Sequence, residues 1–110
     1  MLSYGASKEL EKLGYSQELK DGDWFYWLDA PDDPPFLYFS VHLKVVSDYV
    51  KVPTTDGMIG GLGEQFRELE RDEYGNFRAW SANPRKWTEW RLKNGMERAL
   101  CELWKEMKED

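Results

Sequence analysis

The sequence predicts a single α+β domain over residues 1–110, built as an antiparallel sheet of four to five strands with two main helices and a short N-terminal helix. A chain of 110 residues matches the size of one hydrophobic core. Apolar residues recur at every second position in some segments, as in strands, and at every third or fourth position in others, as in helices. The strand segments cluster together along the chain, which favours α+β over a parallel α/β sheet.

The N-terminal part predicts one short helix and one strand. The helix is expected to begin at Ser7, its N-cap, and to run to about Leu13, where Gly14 suits the left-handed conformation that ends a helix. The alternating segment DWFYWL, residues 23–28, is typical of a strand. The segment DAPDDPP, residues 29–35, then predicts a loop because it is rich in proline and aspartate.

The longest predicted strand is FLYFSVHLKVV, residues 36–46. Its alternation is expected to place five apolar side chains on the core face: Leu37, Phe39, Val41, Leu43 and Val45. We expect this strand to form an antiparallel hairpin with DWFYWL. The segment YVKV, residues 49–52, is expected to continue the sheet after a bend near Ser47 and Asp48, and Pro53 is expected to end it.

A helix is predicted from Asp56 to Arg71, with Thr54, Thr55 or Asp56 as its N-cap. Its apolar residues are spaced by three, four and three positions: Ile59, Leu62, Phe66 and Leu69. The segment DEYGN, residues 72–76, predicts a turn, and FRAW and WTEWRL predict two short strands around SANPRK.

The final predicted helix runs from Asn94 to Lys108. Asn94 and Glu97 resemble a capping box, in which the two side chains bond the backbone N–H groups at the start of a helix. One apolar stripe follows the helix: Met96, Leu100, Leu103, Trp104 and Met107. Cys101 lies well around the helix from this stripe, so it is expected on a flank of the helix and outside the core.

The glycine-rich segment GMIGGLG, residues 57–63, resembles a phosphate-binding loop only superficially. A Walker A loop needs Lys and then Ser or Thr after its last glycine, whereas Gly63 is followed by Glu64 and Gln65. The spacing also fails the dinucleotide-binding fingerprint. A helix is favoured, but three glycines would leave a bare surface that a backbone or a ligand can approach: Gly60, Gly61 and Gly63. They are the candidate ligand-binding residues.

Other reactive residue types give no catalytic site, metal site or cofactor. His42 shares a strand face with Ser40, but nothing in the sequence places an oxyanion hole or an orienting acid. The aspartates of the proline loop, Asp29, Asp32 and Asp33, lack the ligand pattern of a calcium loop. We therefore lean towards a protein that is not an enzyme.

Three tryptophans near basic residues form the candidate interaction surface: Trp80, Trp87 and Trp90. The basic residues nearby are Arg78, Arg85, Lys86 and Arg91. Such a mixture can stack single-stranded nucleic acid, but a net charge of −6 opposes binding to phosphates. A role in the core or in a protein interface is favoured.

Composition limits the partners and the location of the protein. The acidic balance disfavours nucleic acid and anionic membranes, and the 15 basic residues are interleaved with 21 acidic ones, which disfavours a mimic of DNA. The sequence lacks a secretory signal and an apolar run of about 18 residues, so we expect a soluble cytoplasmic protein with no membrane partner. The single cysteine fits a reducing compartment.

Three segments in this order, GDWFYW, VKVPTTDGMIGGLGEQF and GMERALCELWKEM, resemble a type of small uncharacterised protein encoded by phages and prophages. The resemblance spans most of the chain and implies a cytoplasmic accessory protein of unknown activity.

The leading hypothesis is a non-enzymatic interaction or accessory factor that binds a protein partner, or a second copy of itself, through exposed aromatic residues. Two alternatives stay open. One is a small-molecule or nucleotide-binding domain, or an enzyme, that uses the glycines at 57–63. The other is an acidic decoy for a nucleic-acid-binding protein.

Overall fold

The structure is a computed structural model that describes residues 1–41, 48–82, 85–90 and 95–108. These residues form three α-helices and two three-stranded antiparallel sheets, which confirms the α+β class. The prediction of one sheet with four to five strands is not confirmed, because the six strands divide between two sheets. The contacts also divide the chain into two units, Ser3–Val52 and Met1–Leu2 with Pro53–Asp110. A single domain over the whole chain stays a prediction.

The first unit begins with helix α1, Tyr4–Lys12. Its N-cap is Ser3, whose Oγ accepts the backbone N–H of Ala6 at 3.3 Å, so the predicted cap at Ser7 is wrong. Ser7 lies inside the helix and is fully buried, and its hydroxyl donates to the Ser3 carbonyl at 2.8 Å. Gly14 follows the helix with φ at +95°, the left-handed conformation that was predicted for it.

The first sheet has the order β2-β1-β3, with β1 at Trp24–Trp27, β2 at Phe36–Leu37 and β3 at Tyr49–Lys51. Both pairings are antiparallel, which confirms the predicted hairpin and the third strand. Phe25 and Val50 are fully buried at its centre.

Strand β2 is much shorter than the predicted strand over residues 36–46. Regular strand pairing ends at Leu37, Tyr38 still exchanges backbone hydrogen bonds with Gly22 and Asp23, and the chain turns at residues 40–41. Leu37, Phe39 and Val41, which were expected in the core, are exposed, Val41 to 81%. The N–H of Ser40 instead donates to the Asp21 carboxylate at 2.8 Å. Leu43 and Val45, like Ser47 of the predicted bend, lie outside the described residues.

The second unit contains helix α2, Thr55–Leu62, which Thr54 caps by accepting the N–H of Gly57 at 3.0 Å. Thr54 was one of three predicted caps. The predicted extension of this helix to Arg71 is wrong. Gly63 has φ at +57°, a conformation that favours glycine and ends the α-helix, and a single 3₁₀ turn at Gly63–Gln65 leads into strand β4, Phe66–Arg71.

A β-bulge explains why the sequence of β4 looked helical. Phe66 pairs with Ser81 and Leu69 pairs with Ala79, and the register shifts between Phe66 and Glu68. In a regular strand, residues three apart point to opposite faces, but one extra residue brings them to the same face. The spacing of three between Phe66 and Leu69 therefore fits a bulged strand as well as a helix.

The second sheet has the order β4-β5-β6, with β5 at Phe77–Ser81 and β6 at Trp87–Trp90. The predicted strand FRAW is confirmed, and WTEWRL is confirmed as far as Trp90; Arg91 and Leu92 lie outside the described residues. The predicted turn between β4 and β5 is also confirmed, because Asp72 accepts the N–H groups of Tyr74 and Asn76, each at 2.9 Å, and the Asn76 side-chain amide at 2.7 Å.

Helix α3, Gly95–Lys108, packs on one face of this sheet and on α2. Ala79 and Ser81 are fully buried beneath it, and the Thr88 hydroxyl donates to the Ala99 carbonyl at 2.6 Å. A Cβ built at Gly95 would lie 2.8 Å from the Phe77 ring, so the helix begins in close contact with the sheet. The predicted cap at Asn94 lies outside the described residues.

The apolar stripe of α3 is only partly as predicted. Leu100, Leu103 and Trp104 are buried, but Met96 is exposed. Cys101 is fully buried, so its predicted flank position is wrong. The helix contacts both a sheet and a second helix, and therefore more than one stripe of it is buried.

In the second unit, the missing side chain of Gly61 in α2 leaves space that the ring of Trp104 from α3 occupies. The indole ring of Trp104 lies against Gly61, where a Cβ would overlap the ring carbon Cζ2. The indole N–H donates to the carbonyl of Met58 at 2.8 Å, which fixes the ring in this position. A Cβ built at Gly60 would meet no atom within 4 Å.

Gly61→Ala is expected to lower the free energy of unfolding by roughly 1–3 kcal/mol, because the new methyl group overlaps a buried ring that a hydrogen bond holds in place. The matched control, Gly60→Ala, adds the same group in open space and is expected to raise it by roughly 0.5–1 kcal/mol. Urea unfolding followed by far-ultraviolet circular dichroism measures both. Equal effects of the two substitutions would contradict the role assigned to Trp104.

The hydrogen bonds of the turn at Asp72 make the free energy of unfolding depend on pH in the acidic range. Burial tends to raise the pKa of Asp72, but hydrogen bonds from Asn76 and Tyr74 and the charge of Arg78 outweigh it, so the pKa lies below its ordinary value of 3.8. The folded state therefore binds this proton more weakly than the unfolded state does, and the stabilisation is present above pH 3.8 and lost as pH falls through the folded pKa.

Asp72→Asn is accordingly expected to destabilise the protein at neutral pH and to differ less from the wild type in acid. The urea midpoints of both proteins, measured from neutral pH down to below the ordinary pKa, test this. Glu73→Gln, at the exposed neighbouring position, is the control and should leave the midpoint unchanged. If the difference in urea midpoint between the wild type and Asp72→Asn stayed constant with pH, the lowered pKa of Asp72 would be refuted.

Candidate functional site

One face of the second sheet points away from α3. Side chains alternate between the two faces of a strand, so Arg78 and Trp80 lie opposite the buried Ala79 and Ser81. Trp87 and Glu89 likewise lie opposite Thr88, which contacts α3. We call this surface the outer face. It consists of Glu68, Glu70, Arg78, Trp80, Trp87 and Glu89, together with Arg85, whose guanidinium lies over Trp80.

The centre of the outer face is an aromatic pair. Trp80 and Trp87 are directly opposite each other in the register, and their ring centroids are 5.8 Å apart. The indole N–H of Trp80 donates to Oε1 of Glu70 at 2.8 Å, which orients that ring. Trp87 is 53% exposed, so more than half of a large apolar side chain stays in water.

Arg78 lies between two glutamates in the adjacent row of the sheet. Its Nε donates to Glu89 at 2.8 Å, and its Nη1 is 3.8 Å from Glu70. The hydrogen bond to Glu89 is the largest of the effects that raise the pKa of Arg78, so the side chain stays charged. Its charge is balanced locally by these two carboxylates.

Arg85 differs from Arg78 in its surroundings. Its guanidinium carbon is 5.1 Å from the centroid of the Trp80 ring, a cation–π distance. The side chain is exposed, and within the described ranges no carboxylate forms an ion pair with it. Among the described residues, the outer face therefore carries one guanidinium, that of Arg85, whose charge is not balanced by a neighbouring acid.

Trp90, the third tryptophan of the predicted surface, is separated from the other two. It pairs with Phe77 on the face towards α3, and the guanidinium carbon of Arg98 from that helix lies 4.5 Å from its ring centroid. The structure thus brings Trp80 and Trp87 together and places Trp90 behind them. Lys86 is exposed beside the sheet, and Arg91 lies outside the described residues.

The sequence interpretation missed the three glutamates of the outer face. Glu68 and Glu70 were assigned to a helix, although two glutamates on either side of Leu69 also fit one face of a strand. Glu89 was not singled out. Its position opposite Arg78 was readable from the two predicted strands once their register was known.

The candidate ligand-binding glycines do not share one environment. Gly60 and Gly61 lie in α2 and Gly63 ends it. Trp104 covers one side of Gly61, so that part of the predicted bare surface is occupied by the protein itself, whereas Gly60 and Gly63 are open. Ligand binding at these residues stays a prediction.

The residue types that serve catalysis and metal binding are dispersed. Asp29, Asp32 and Asp33 are exposed, and within the part of the chain that the structure describes no three His, Cys, Asp or Glu residues are grouped so as to hold a metal ion. His42 lies outside the described residues. The Cys101 thiol is buried and out of contact with solvent.

Comparison of the chain with protein-family models, with curated proteins and with solved structures gives no match. Among the described residues, no helix has the length and apolar character needed to cross a membrane.

Trp87→Ala is expected to change the free energy of unfolding by no more than about 1.5 kcal/mol, because the ring is half exposed and loses mainly its contact with Trp80. Trp104→Ala, the comparison, is expected to cost about 3–5 kcal/mol, because that ring is buried between α2 and α3. Urea unfolding of both variants measures the difference. A loss at Trp87 as large as at Trp104 would mean that the outer tryptophan is a core residue.

Proposed function

We propose that this chain is a non-enzymatic interaction protein that binds a protein partner through its outer face. The observation that carries the proposal is the half-exposed Trp87 beside Trp80, with the Arg78 guanidinium over the Trp87 ring and the Arg85 guanidinium over the Trp80 ring. Tryptophan and arginine are the residue types most enriched among the side chains that dominate binding energy in protein interfaces.

Hydrogen bonds also orient two side chains of the arrangement, Trp80 and Arg78, before a partner binds. The glutamate that receives the Trp80 indole N–H and the one that receives the Arg78 guanidinium fix the directions of both side chains. Side chains that are already ordered lose less conformational entropy when a partner arrives. A prearranged aromatic pair on a sheet is thus suited to recognition.

A protein partner is favoured over nucleic acid because of charge. Single-stranded nucleic acid binds to aromatic residues within a positive groove, whereas the outer face carries three glutamates and the whole chain has a net charge of −6. The role of a cytoplasmic accessory factor of phage type stays a prediction. So do the two alternatives, ligand binding or enzymatic activity at residues 57–63 and an acidic decoy.

The test is recovery of a partner by the purified, tagged chain from a lysate of the cells that naturally produce it. We expect a protein that is retained by the wild type and lost with Trp87→Ala. Tyr74→Ala is the matched control, because Tyr74 is an aromatic residue of the same unit that is 82% exposed but lies in the turn between β4 and β5, away from the outer face. Retention that is equal for both variants, or no retained protein at all, would contradict the proposal.

A further inference from the structure

We infer that the outer face binds a short extended segment of its partner, in which an Asp or Glu side chain lies within three residues of a bulky apolar or aromatic one. This inference rests on the proposed function and adds the chemistry of the partner to it. Three features of the outer face lead to it: its size, the unbalanced charge of Arg85 and the exposed ring of Trp87.

The size of the outer face indicates a short segment. Its strands have four to six residues. At about 3.4 Å per residue and about 4.8 Å between strands, three of them present roughly 15 Å by 20 Å. This is roughly 300 Å², well below the about 800 Å² per partner that a stable interface between globular proteins buries. An extended segment of about five or six residues spans the same distance.

The charge of Arg85 indicates an acidic residue. A guanidinium binds a carboxylate through two parallel hydrogen bonds, and Arg85 is the arginine of the outer face whose charge is not balanced by a carboxylate within the described residues. Trp80 supports the guanidinium from one side, which limits the directions it takes.

The exposed ring of Trp87 indicates the neighbouring apolar residue. Both the Arg85 guanidinium and the Trp87 ring lie within 6 Å of the Trp80 ring centroid. They are therefore at most about 11 Å apart, which three residues of an extended peptide, at about 3.4 Å each, nearly span. The acidic and apolar side chains therefore belong close together in the segment.

A carboxylate is favoured over a phosphate by the glutamates of the outer face. A chain of phosphates carries a charge at every nucleotide, and part of it would cross Glu68 and Glu70 next to the tryptophans. A single carboxylate directed at Arg85, followed by an apolar side chain on Trp87, meets no such repulsion. The segment is therefore assigned to a protein.

The experiment is selection from a library of random twelve-residue peptides displayed on phage particles, with the whole chain immobilised. We expect the selected peptides to share Asp or Glu within three residues of an aromatic or bulky aliphatic residue. One selected peptide is then synthesised, together with a version in which its acidic residue is replaced by the corresponding amide. Binding of both peptides is measured by fluorescence anisotropy.

Arg85→Gln is expected to weaken binding of the acidic peptide by roughly ten-fold or more, as loss of a charged hydrogen-bonded pair does. The amide peptide should show the same loss with the wild type and no further loss with Arg85→Gln, which isolates the pair. Arg71→Gln is the matched control, because Arg71 also lies over an aromatic ring, that of Phe77, but points to the face towards α3. It removes the same charge and should leave binding unchanged.

Selected peptides without a shared acidic residue, or an acidic peptide that binds Arg85→Gln as tightly as the wild type, would overturn the assignment of a carboxylate. Displacement of the peptide by a single-stranded DNA oligonucleotide would do the same. A library that yields no binding peptide would overturn the inference that the partner binds through a short extended segment. In each case the proposed function stands or falls separately, by whether recovery of a partner protein depends on Trp87.

Discussion

The close approach of α3 to the sheet of β4, β5 and β6 determines which residues of this unit face solvent. Small residues permit it, because Ala79, Ser81 and Ala99 are all fully buried at the contact. The hydrogen bond from the Thr88 hydroxyl to the Ala99 carbonyl holds the helix backbone directly on the sheet. With one face of a short sheet covered in this way, strand alternation directs the neighbouring side chains, including Trp80, to the other face. The aromatic pair is a consequence of where the helix lies.

The same helix explains the glycines that first suggested a phosphate site. Trp104 projects from α3 to α2, and its ring needs the space that a Cβ at Gly61 would fill. Each interior glycine weakens a helix by about 1 kcal/mol, and burial of a large aromatic ring with its N–H bonded to the Met58 carbonyl offsets that loss. The short length of α2 follows from the same composition, because the helix ends at Gly63, whose positive φ favours glycine.

Local patterns predicted the parts of the fold that local interactions specify. The hairpin of β1 and β2, the turn after Asp72 and the last helix all follow from alternation, turn residues and helical spacing. The failures lie where distant contacts decide. A bulge gave β4 a helical spacing, and burial of Cys101 depends on α3 having two neighbours, which its own stripe does not encode.

The candidate site was predictable in its residue types but not in its grouping. The tryptophans and arginines stand out in the sequence, and alternation along β6 places Trp87 and Trp90 on opposite faces, but only the register between β5 and β6 shows that Trp80 meets Trp87. The glutamates also reduce the positive charge that the arginines give to the outer face. Because Glu70 and Glu89 balance Arg78, the outer face is not a basic patch, although the sequence around it contains several arginines.

In the proposed function, the glutamates beside Trp80 and Trp87 contribute specificity. A surface of aromatic rings and arginines alone would attract polyanions through charge and stacking. Carboxylates next to the rings add repulsion against a chain of phosphates, while one guanidinium, that of Arg85, stays open to a single acid. Discrimination in this arrangement comes from the repulsive groups as much as from the attractive ones. In the proposed function, a small acidic chain presents aromatic side chains to a protein partner, and its carboxylates repel polyanions.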